Sequence, residues 1–377
     1  MFTTDRYTSQ EFLEREKQHI FRKTWLVAAR ESDVPGPGDC LAVDVVDSRI
    51  VLVRGDDGLV RAFHNTCRHR GTRLVARRCA AAQITCPYHG WTYALDGRLI
   101  GVPGMEGFET FDTGHRGLLA VRSACWGGFV WITFDAEAPP VAVYLGAVAT
   151  QLEPYRLSDM RPLLRRDWTL PCNWKAVLDQ ATESYHVRSV HHRSIAQVLH
   201  ARATFRGFDP HHLQTVPIAD YGWRTRLDRL SVPDDLPFTP DQLRLFHKYH
   251  VFPNAVMNVM PYHLTVFRVF PLSPDSCRFH YEFYLRAKPG AVARLRGWLT
   301  LAASLVILRE DLRMLSPFQS GQQAAASRAI AFHREERPLA YFHGVVDRYV
   351  GHRGDGADEH ERMRGARPPV ISVSAAR

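Results

Sequence analysis

Two short loops constrain this chain more than any other stretch. They are Cys67-Arg68-His69-Arg70-Gly71 and Cys86-Pro87-Tyr88-His89-Gly90-Trp91. Each offers one thiolate and one imidazole, and sixteen residues separate His69 from Cys86. A fold that uses all four side chains together must bring two separate loops to one point. Two cysteines with two histidines also make zinc sites. Zinc fingers, however, usually pair the cysteines in one half and the histidines in the other. Here both loops are mixed, Cys-x-His and Cys-x-x-His. A binuclear cluster can use that arrangement, with both cysteines on one iron and both histidines on the other, and imidazole ligation raises its reduction potential.

The surrounding sequence reads as a small antiparallel β domain. Trp25 to Ala29, Leu41 to Val46 and Ile50 to Arg54 are apolar and β-branched, and Gly55-Asp56-Asp57-Gly58 is a strong turn before Leu59 to His64. Thr92 to Leu95 with Arg98 to Gly101 reads as a hairpin around Asp96-Gly97, and Leu118 to Ser123 with Gly128 to Phe134 as another. An amphipathic helix is expected from about Thr4 to Phe21, and Val141 to Leu157 and Asn173 to His186 also read as helical. Residues 203–286 are strand-rich. A long helix is expected from Pro289 to about Ser316 and a shorter one from Pro338 to Val350. The fold class is α+β. The expected division is 1–24, a helix packing on the second domain; 25–137, the β domain; 138–350, an antiparallel sheet flanked by helices; and 351–377, a mobile tail.

A second constellation lies mid-chain. Glu183, His186 and His191 place a carboxylate and two imidazoles within nine residues. Two neutral imidazoles plus one carboxylate from elsewhere make a facial ligand set for non-heme iron(II). His186 and His191 are five apart, turned by about 140° on a helix at ~100° per residue. Both can face one ion only if the helix ends or distorts, which is expected between Val187 and Val190. The adjacent His192 is the rival of His191. Asp179 is a further acidic position on the same helix.

The loops resemble the Rieske [2Fe–2S] motif, including the Gly after each loop and the aromatic Trp91. The whole order, over roughly residues 20–350, resembles the α subunit of Rieske non-heme iron oxygenases, the aromatic-ring-hydroxylating oxygenases. That resemblance implies a helix-grip-like catalytic domain. It implies that Cys67, His69, Cys86 and His89 hold the cluster and that His186, His191 and Asp311 hold iron. Asp311 matches an acidic pair, Glu310-Asp311, before Gln319 and Gly321, with Glu310 the neighbour to be confused with it. Glu183 takes the place of a carboxylate that bridges a Rieske histidine of one subunit, His89 or His69, to an iron-ligating histidine of the next. Glu183 and Asp179 are therefore the candidate catalytic carboxylates.

The resemblance further implies a homotrimer and a separate flavin reductase, with or without a ferredoxin, drawing on NAD(P)H. No Gly-x-Gly-x-x-Gly lies between a strand and a helix here. The implied activity is monooxygenation of a small or medium organic substrate with O2. Oxidative N- or O-demethylation and cis-dihydroxylation use the same iron site, and an electron carrier without turnover is the non-enzymatic alternative. Phe205, Trp223, Phe246, Tyr249, Phe252, Asn258, Met260 and Phe267 are candidate pocket residues, able to hold an aromatic ring or to cage a quaternary ammonium.

The formal charge of +9 comes from scattered arginines, not blocks, which argues against nucleic acid. Arg68, Arg70, Arg73, Arg77 and Arg78 are a candidate docking patch for an acidic electron donor. The most apolar helical run, Gly297 to Leu308, has twelve residues, short for a membrane span. The N-terminus lacks the apolar region of a signal peptide, and seven dispersed cysteines do not suit a secreted disulfide framework. A cytoplasmic location is expected.

Overall fold

Apolar and β-branched runs pair into two seven-stranded antiparallel sheets that carry the chain's two halves. The structure is a computed structural model and describes residues 2–110, 112, 114–196, 203–218, 236, 238, 243, 245–286, 290–324 and 329–351. His200, Trp223, residues 233–235, which the sequence reads as a turn, and the tail beyond Gly351 lie outside the described residues.

The first sheet runs Leu26–Arg30, Phe129–Thr133, Ala120–Trp126, Val60–His64, Ser48–Arg54, Asp39–Val45 and Cys79–Ala80 in spatial order. Its hairpin from Trp126 to Phe129 turns through Gly127 and Gly128, both at positive φ (61° and 74°), the backbone a two-residue turn requires. A three-stranded sheet of Ile84–Thr85, Thr92–Tyr93 and Leu99–Gly101 sits beside it. The second large sheet runs Met160–Leu170, Ser276–Arg286, His263–Ser273, Ala255–Val259, Leu245–Val251, His211–Pro217 and Thr204–Phe208.

Side chains alternate across this second sheet. Tyr249, Met257, Val266 and Tyr284 face a core shared with Val148, Leu152, Trp25 and Trp131. Val256, Phe279, Tyr281 and Phe283 face the opposite core, shared with Trp174, Val177 and Leu178 and with Leu301 and Leu308 of the long helix. Fully burying each such side chain contributes roughly 1.5–3 kcal/mol. The two halves are also joined by polar contacts. Asn254 accepts the Val27 N–H at 3.1 Å and donates to the Val27 carbonyl at 3.3 Å. The Arg30 guanidinium donates to the carbonyls of Gly127, Leu157 and Met160.

Several helices differ from their sequence expectation. The stretch from Thr4 to Phe21 forms Asp5–Thr8, Gln10–Glu16 and a π-helical turn, Lys17–Phe21. Ser9 interrupts it in extended backbone because its hydroxyl accepts the Phe12 N–H and so caps the second piece. Gly146 divides Val141–Leu145 from Ala147–Leu152. The long helix spans Ala291–Ala324, 34 residues, well past Ser316. It is the one helix among the described residues long and apolar enough to cross a membrane by length and composition, which corrects the twelve-residue estimate. It lies against the large sheet. Gly297 lets the backbone approach Leu285, where a Cβ would fall 2.4 Å from a methyl carbon, and Ser304 meets the Tyr281 hydroxyl at 2.8 Å.

Candidate metal centres

The two Cys/His loops have the same backbone closure. The Cys67 N–H donates to Thr72 O and the Gly71 N–H to Cys67 O, at 2.8 and 2.9 Å. The Cys86 N–H donates to Trp91 O and the Gly90 N–H to Cys86 O, at 2.8 and 3.1 Å. In both loops the glycine four residues after the cysteine has positive φ, 79° and 72°, which explains why each loop ends on glycine. The first loop leaves the strand Val60–His64, and the second joins Ile84–Thr85 to Thr92–Tyr93.

This places His69 Nδ1 and His89 Nδ1 3.2 Å apart, while the Cys86 thiol lies against Cys67. The cysteines are buried and the histidines half-buried, and Trp91 stacks on His69 at 4.8 Å. Two nitrogens converge on one point and two sulfurs on another, which fits a cluster with both histidines on one iron and both cysteines on the other. Tyr93 was not singled out by sequence reasoning. Its oxygen accepts the Arg68 N–H at 2.9 Å and lies 3.3 Å from Cys67 Sγ, to which the hydroxyl would donate when that sulfur is a metal-bound thiolate.

The second constellation starts from a capped helix. Asn173 accepts the Lys175 N–H at 3.0 Å and caps Trp174–Thr182. The helix stops at Glu183, in extended backbone. The Glu183 carboxylate accepts the amide protons of Tyr185 and His186, local bonds that compete with helix continuation. His186 and His191 then flank a one-turn helix, Val187–Val190. The break therefore comes between Glu183 and His186, earlier than expected, and Val187 to Val190 is helical. Glu183 and His186 meet through this capping turn, not through a shared helix face.

Three donor atoms converge. His186 Nε2 and His191 Nε2 are 3.3 Å apart, and Asp311 Oδ1 lies 3.5 Å from the first and 2.9 Å from the second. Asp311 Oδ1 is buried and accepts no hydrogen bond of acceptable geometry among the described residues. Separations of this size arise when three ligands sit about 2.1 Å from one ion at near right angles. Among the described residues this is the one His/Cys/Asp/Glu triad whose donor atoms all lie within 4.8 Å of one another.

The outward nitrogens are held as well. His186 Nδ1 meets Glu183, and His191 Nδ1 meets Glu310 Oε2 at 2.8 Å, with the Ser194 hydroxyl on the same oxygen at 2.6 Å. Each carboxylate thus takes the Nδ1 proton of one imidazole, which leaves Nε2 as the atom that would ligate a metal. Burial pulls the His186 pKa down, but the Asp311 and Glu183 carboxylates reverse this and bring it up to about 9. The ambiguity between the two acidic neighbours resolves geometrically: Asp311 points at the histidines' inner nitrogens, Glu310 at an outer one.

Other sequence candidates lie elsewhere. His192 is exposed and faces Ser189 O. Asp179 does not join the triad, which corrects its place among the catalytic carboxylates. Its oxygens take the Tyr7 hydroxyl at 2.6 Å and His343 Nε2 at 3.0 Å. Arg6 donates to His343 Nδ1, so the ring is neutral with its proton on Nε2, directed at Asp179. Tyr249 packs on the far face of the sheet and donates to Gln151, and Phe252 stacks on Tyr349. Gln319 accepts the Asn173 N–H at 2.9 Å and donates to Tyr7 O at 3.1 Å, fixing the cap of the ligand-bearing segment.

A thiol–imidazole cradle in one half and a triad of two histidines and a carboxylate in the other define the catalytic component of an iron-dependent oxygenase fed by an iron–sulfur cluster. Comparison with known proteins agrees. Residues 24–112 match the Rieske [2Fe-2S] domain, and residues 157–352, just over half the chain, match the catalytic domain of the ring hydroxylating alpha subunit. The chain belongs to the Rieske non-heme iron oxygenases, as an α subunit. It is 32% identical over 295 residues to the glycine betaine monooxygenase oxygenase subunit of Chromohalobacter salexigens, a match spanning 69% of this chain and 65% of that one. It is 29% identical over 364 residues to the carnitine monooxygenase oxygenase subunit of Escherichia coli K12, spanning 90% and 91%. A crystal structure of a quaternary ammonium Rieske monooxygenase in complex with L-carnitine superposes with a TM-score of 0.78 at 27% identity, covering 93% of this chain and 95% of that one.

Proposed function

We propose that this chain is the oxygenase component of a multi-component monooxygenase acting on a small quaternary ammonium compound. In this reading Cys67, Cys86, His69 and His89 hold a [2Fe–2S] cluster, and His186, His191 and Asp311 hold iron(II). When bound, these groups supply one-electron transfer and dioxygen activation. The observation that carries the reading is the occurrence of both donor sets in one chain, each with its outward partners in place. The chain's own part is positional. Glu183 and Glu310 fix the histidine tautomers, Tyr93 donates to a cluster sulfur, and Asn173 and Gln319 fix the start of the ligand segment.

The substrate class rests on the relatives. Glycine betaine and carnitine both carry a quaternary nitrogen, and the enzymes named for them act by monooxygenation. Electrons come from NAD(P)H through a separate flavin reductase, with or without a ferredoxin, which a cytoplasmic location supplies. Arg77 and Arg78 are exposed beside the cluster loops and suit an acidic donor, while Arg73 spends its guanidinium on the carbonyls of Val75 and Ala76. A homotrimer places His89 or His69 of a neighbouring subunit against Glu183. The solved quaternary ammonium Rieske monooxygenase is described with inter-subunit electron transfer. The long helix shows Leu295, Trp298, Leu299 and Val306 to solvent, an apolar surface of the kind that association covers.

Metal analysis and oxygen uptake test the reading together. The expected result is about three irons per chain, from two in the cluster and one in the triad. His186→Ala is expected to lose one iron and all substrate-dependent oxygen uptake while keeping the cluster's spectrum. Two irons in the wild-type chain and no uptake with any donor would instead identify an electron carrier.

A further inference from the structure

The large sheet carries a row of polar side chains that neither metal centre uses. Gln214 lies opposite Lys248, Lys248 opposite Asn258, and Asn258 opposite Thr265, on four neighbouring strands. Directly paired residues point to the same face. This is the face of Val256 and Phe283, which packs towards the helix Trp174–Thr182 and hence towards the iron triad.

The row is short of partners. The Lys248 ammonium has three donors. Among the described residues it meets only the Glu183 carbonyl, at 3.5 Å, the outer limit of a hydrogen bond. Gln214 is 2% exposed; its Nε2 reaches Ser184 Oγ at 3.4 Å and its Oε1 has no partner among the described residues. Asn258 is 8% exposed, and its Oδ1 has no partner among the described residues. A buried polar group left so has given up its hydration without an equivalent bond in return. Several side by side call for a ligand.

Charge says what kind. The Glu183 and Asp311 carboxylates are near enough to oppose the effect of burial on Lys248. Neither forms an ion pair with it among the described residues, because their oxygens are directed elsewhere. Asp311 Oδ1 faces the two triad histidines, and Glu183 holds His186 and two backbone amides. Among the described residues Lys248 therefore has no ion-pair partner. It also keeps some accessible surface although burial depresses its pKa, as a side chain facing an internal space does. Gln214 walls a cavity of about 400 Å³ that also touches Ser184, Phe205, Arg334, Glu335 and Arg337, so two further cations and one carboxylate stand at its approach. The Gln214 amide can turn over, giving its oxygen to the Ser184 hydroxyl and its N–H groups to an anion.

We propose that Lys248, assisted by Gln214 and Asn258, binds a carboxylate of the substrate beside the triad. The substrate class is then a small carboxylate-bearing molecule, and with the quaternary ammonium reading above, on which this refinement rests, a zwitterion. Lys248 acts as a specificity-determining residue. It orients the substrate from its anionic end and discriminates against neutral aromatic rings.

The test is calorimetric binding to the iron-loaded, oxidised holoenzyme without reductant or oxygen. The probes are glycine betaine, its primary amide, L-carnitine and butyrate. Wild type is expected to bind glycine betaine or L-carnitine, and to bind glycine betaine roughly 10- to 100-fold more tightly than the amide, the range of a charge-assisted hydrogen bond. Lys248→Met is expected to bind acid and amide alike, and Lys248→Arg to restore part of the preference. The acid–amide comparison in wild type needs no variant, so it stands if Lys248→Met fails to fold. Equal binding of acid and amide by wild type, or a preference that survives in Lys248→Met, overturns the proposal and leaves the quaternary ammonium reading intact. Lys248-dependent binding of butyrate with no binding of either betaine supports the carboxylate site and removes the quaternary ammonium. Failure of wild type to bind any carboxylate probe overturns the proposal.

Discussion

At the scale of single residues, Cys67, His186 and His191, three of the proposed metal ligands, each meet a further side chain that holds them in place. Tyr93 would donate to Cys67 Sγ as a metal-bound thiolate, and such a bond favours the more negative, reduced cluster. Tyr93→Phe is expected to lower the cluster's midpoint potential. A bond of about 1 kcal/mol corresponds to about 40 mV for one electron, and spectroelectrochemistry measures it. Buried histidines away from the metals set the acid limit of stability. Burial pushes His211 down to about 4 and His250 down to about 3. His211 is satisfied as the neutral ring, donating Nε2–H to Tyr144 O and accepting the Phe252 N–H. The unfolded chain takes up these protons below about pH 6.5 and the folded chain does not, so stability is full above that pH and falls towards pH 4. His211 alone contributes about 3 kcal/mol to that loss at pH 4. Urea midpoints measured from pH 7 to 4 are expected to drop steadily.

The cluster loops were legible because cysteine, histidine and glycine each have few reasons to recur at such spacings. Glu310 was not. Its role depends on which of two adjacent carboxylates the long helix turns inward, and Asp311 and Glu310 differ by only ~100° of helical phase. Tyr93 was hidden for a related reason. It looks like any strand tyrosine until the first loop folds back over it.

At the scale of elements, the ligand segment is a helix ended on purpose by its own side chain. A sequence pattern favours helix through His186, since nothing from Asn173 onward breaks it. The Glu183 carboxylate ends it one turn sooner by capturing two amides, and this stop lets His186 and His191 converge. The same helix is anchored by a buried ion pair. Lys175 Nζ meets Glu16 Oε1 at 2.6 Å with both side chains fully buried, and Trp174 Nε1 donates to Glu16 Oε2 at 2.8 Å. Lys175→Met is expected to cost about 3–5 kcal/mol, because it strands a buried carboxylate. Glu16→Gln in the same chain is expected to recover part of that, as chemical denaturation would show. The pair could not be read from sequence, because Glu16 and Lys175 lie 159 positions apart.

At the scale of the whole molecule, the N-terminal residues and the helix Arg337–Val350 close around that helix. Phe2–Thr3 pairs with Ala329–Ile330, Arg6 meets Asp347, and Tyr7 and His343 meet at Asp179. Asp179 therefore holds the N-terminal segment and the helix Arg337–Val350 on the back of the helix Trp174–Thr182, a structural duty for a residue that looked catalytic. The α+β class and the antiparallel character of both sheets were visible in the β-branched runs and turns. The extent of the long helix was less so. It runs on through Pro317 while its apolar residues divide between the sheet and solvent.

The central claim is that two metal centres act as one oxygenase, with the cluster of one subunit serving the triad of the next through Glu183. Hybrid oligomers test it most directly. One chain carries Cys67→Ser and lacks a cluster, and the other carries Asp311→Ala and lacks the mononuclear site. Each alone is expected to show no substrate-dependent oxygen uptake. Co-expressed hybrids are expected to recover a substantial part of wild-type uptake, because an intact cluster then stands beside an intact triad across the interface. Hybrids that assemble, retain both metal signatures and take up no oxygen would contradict the claim.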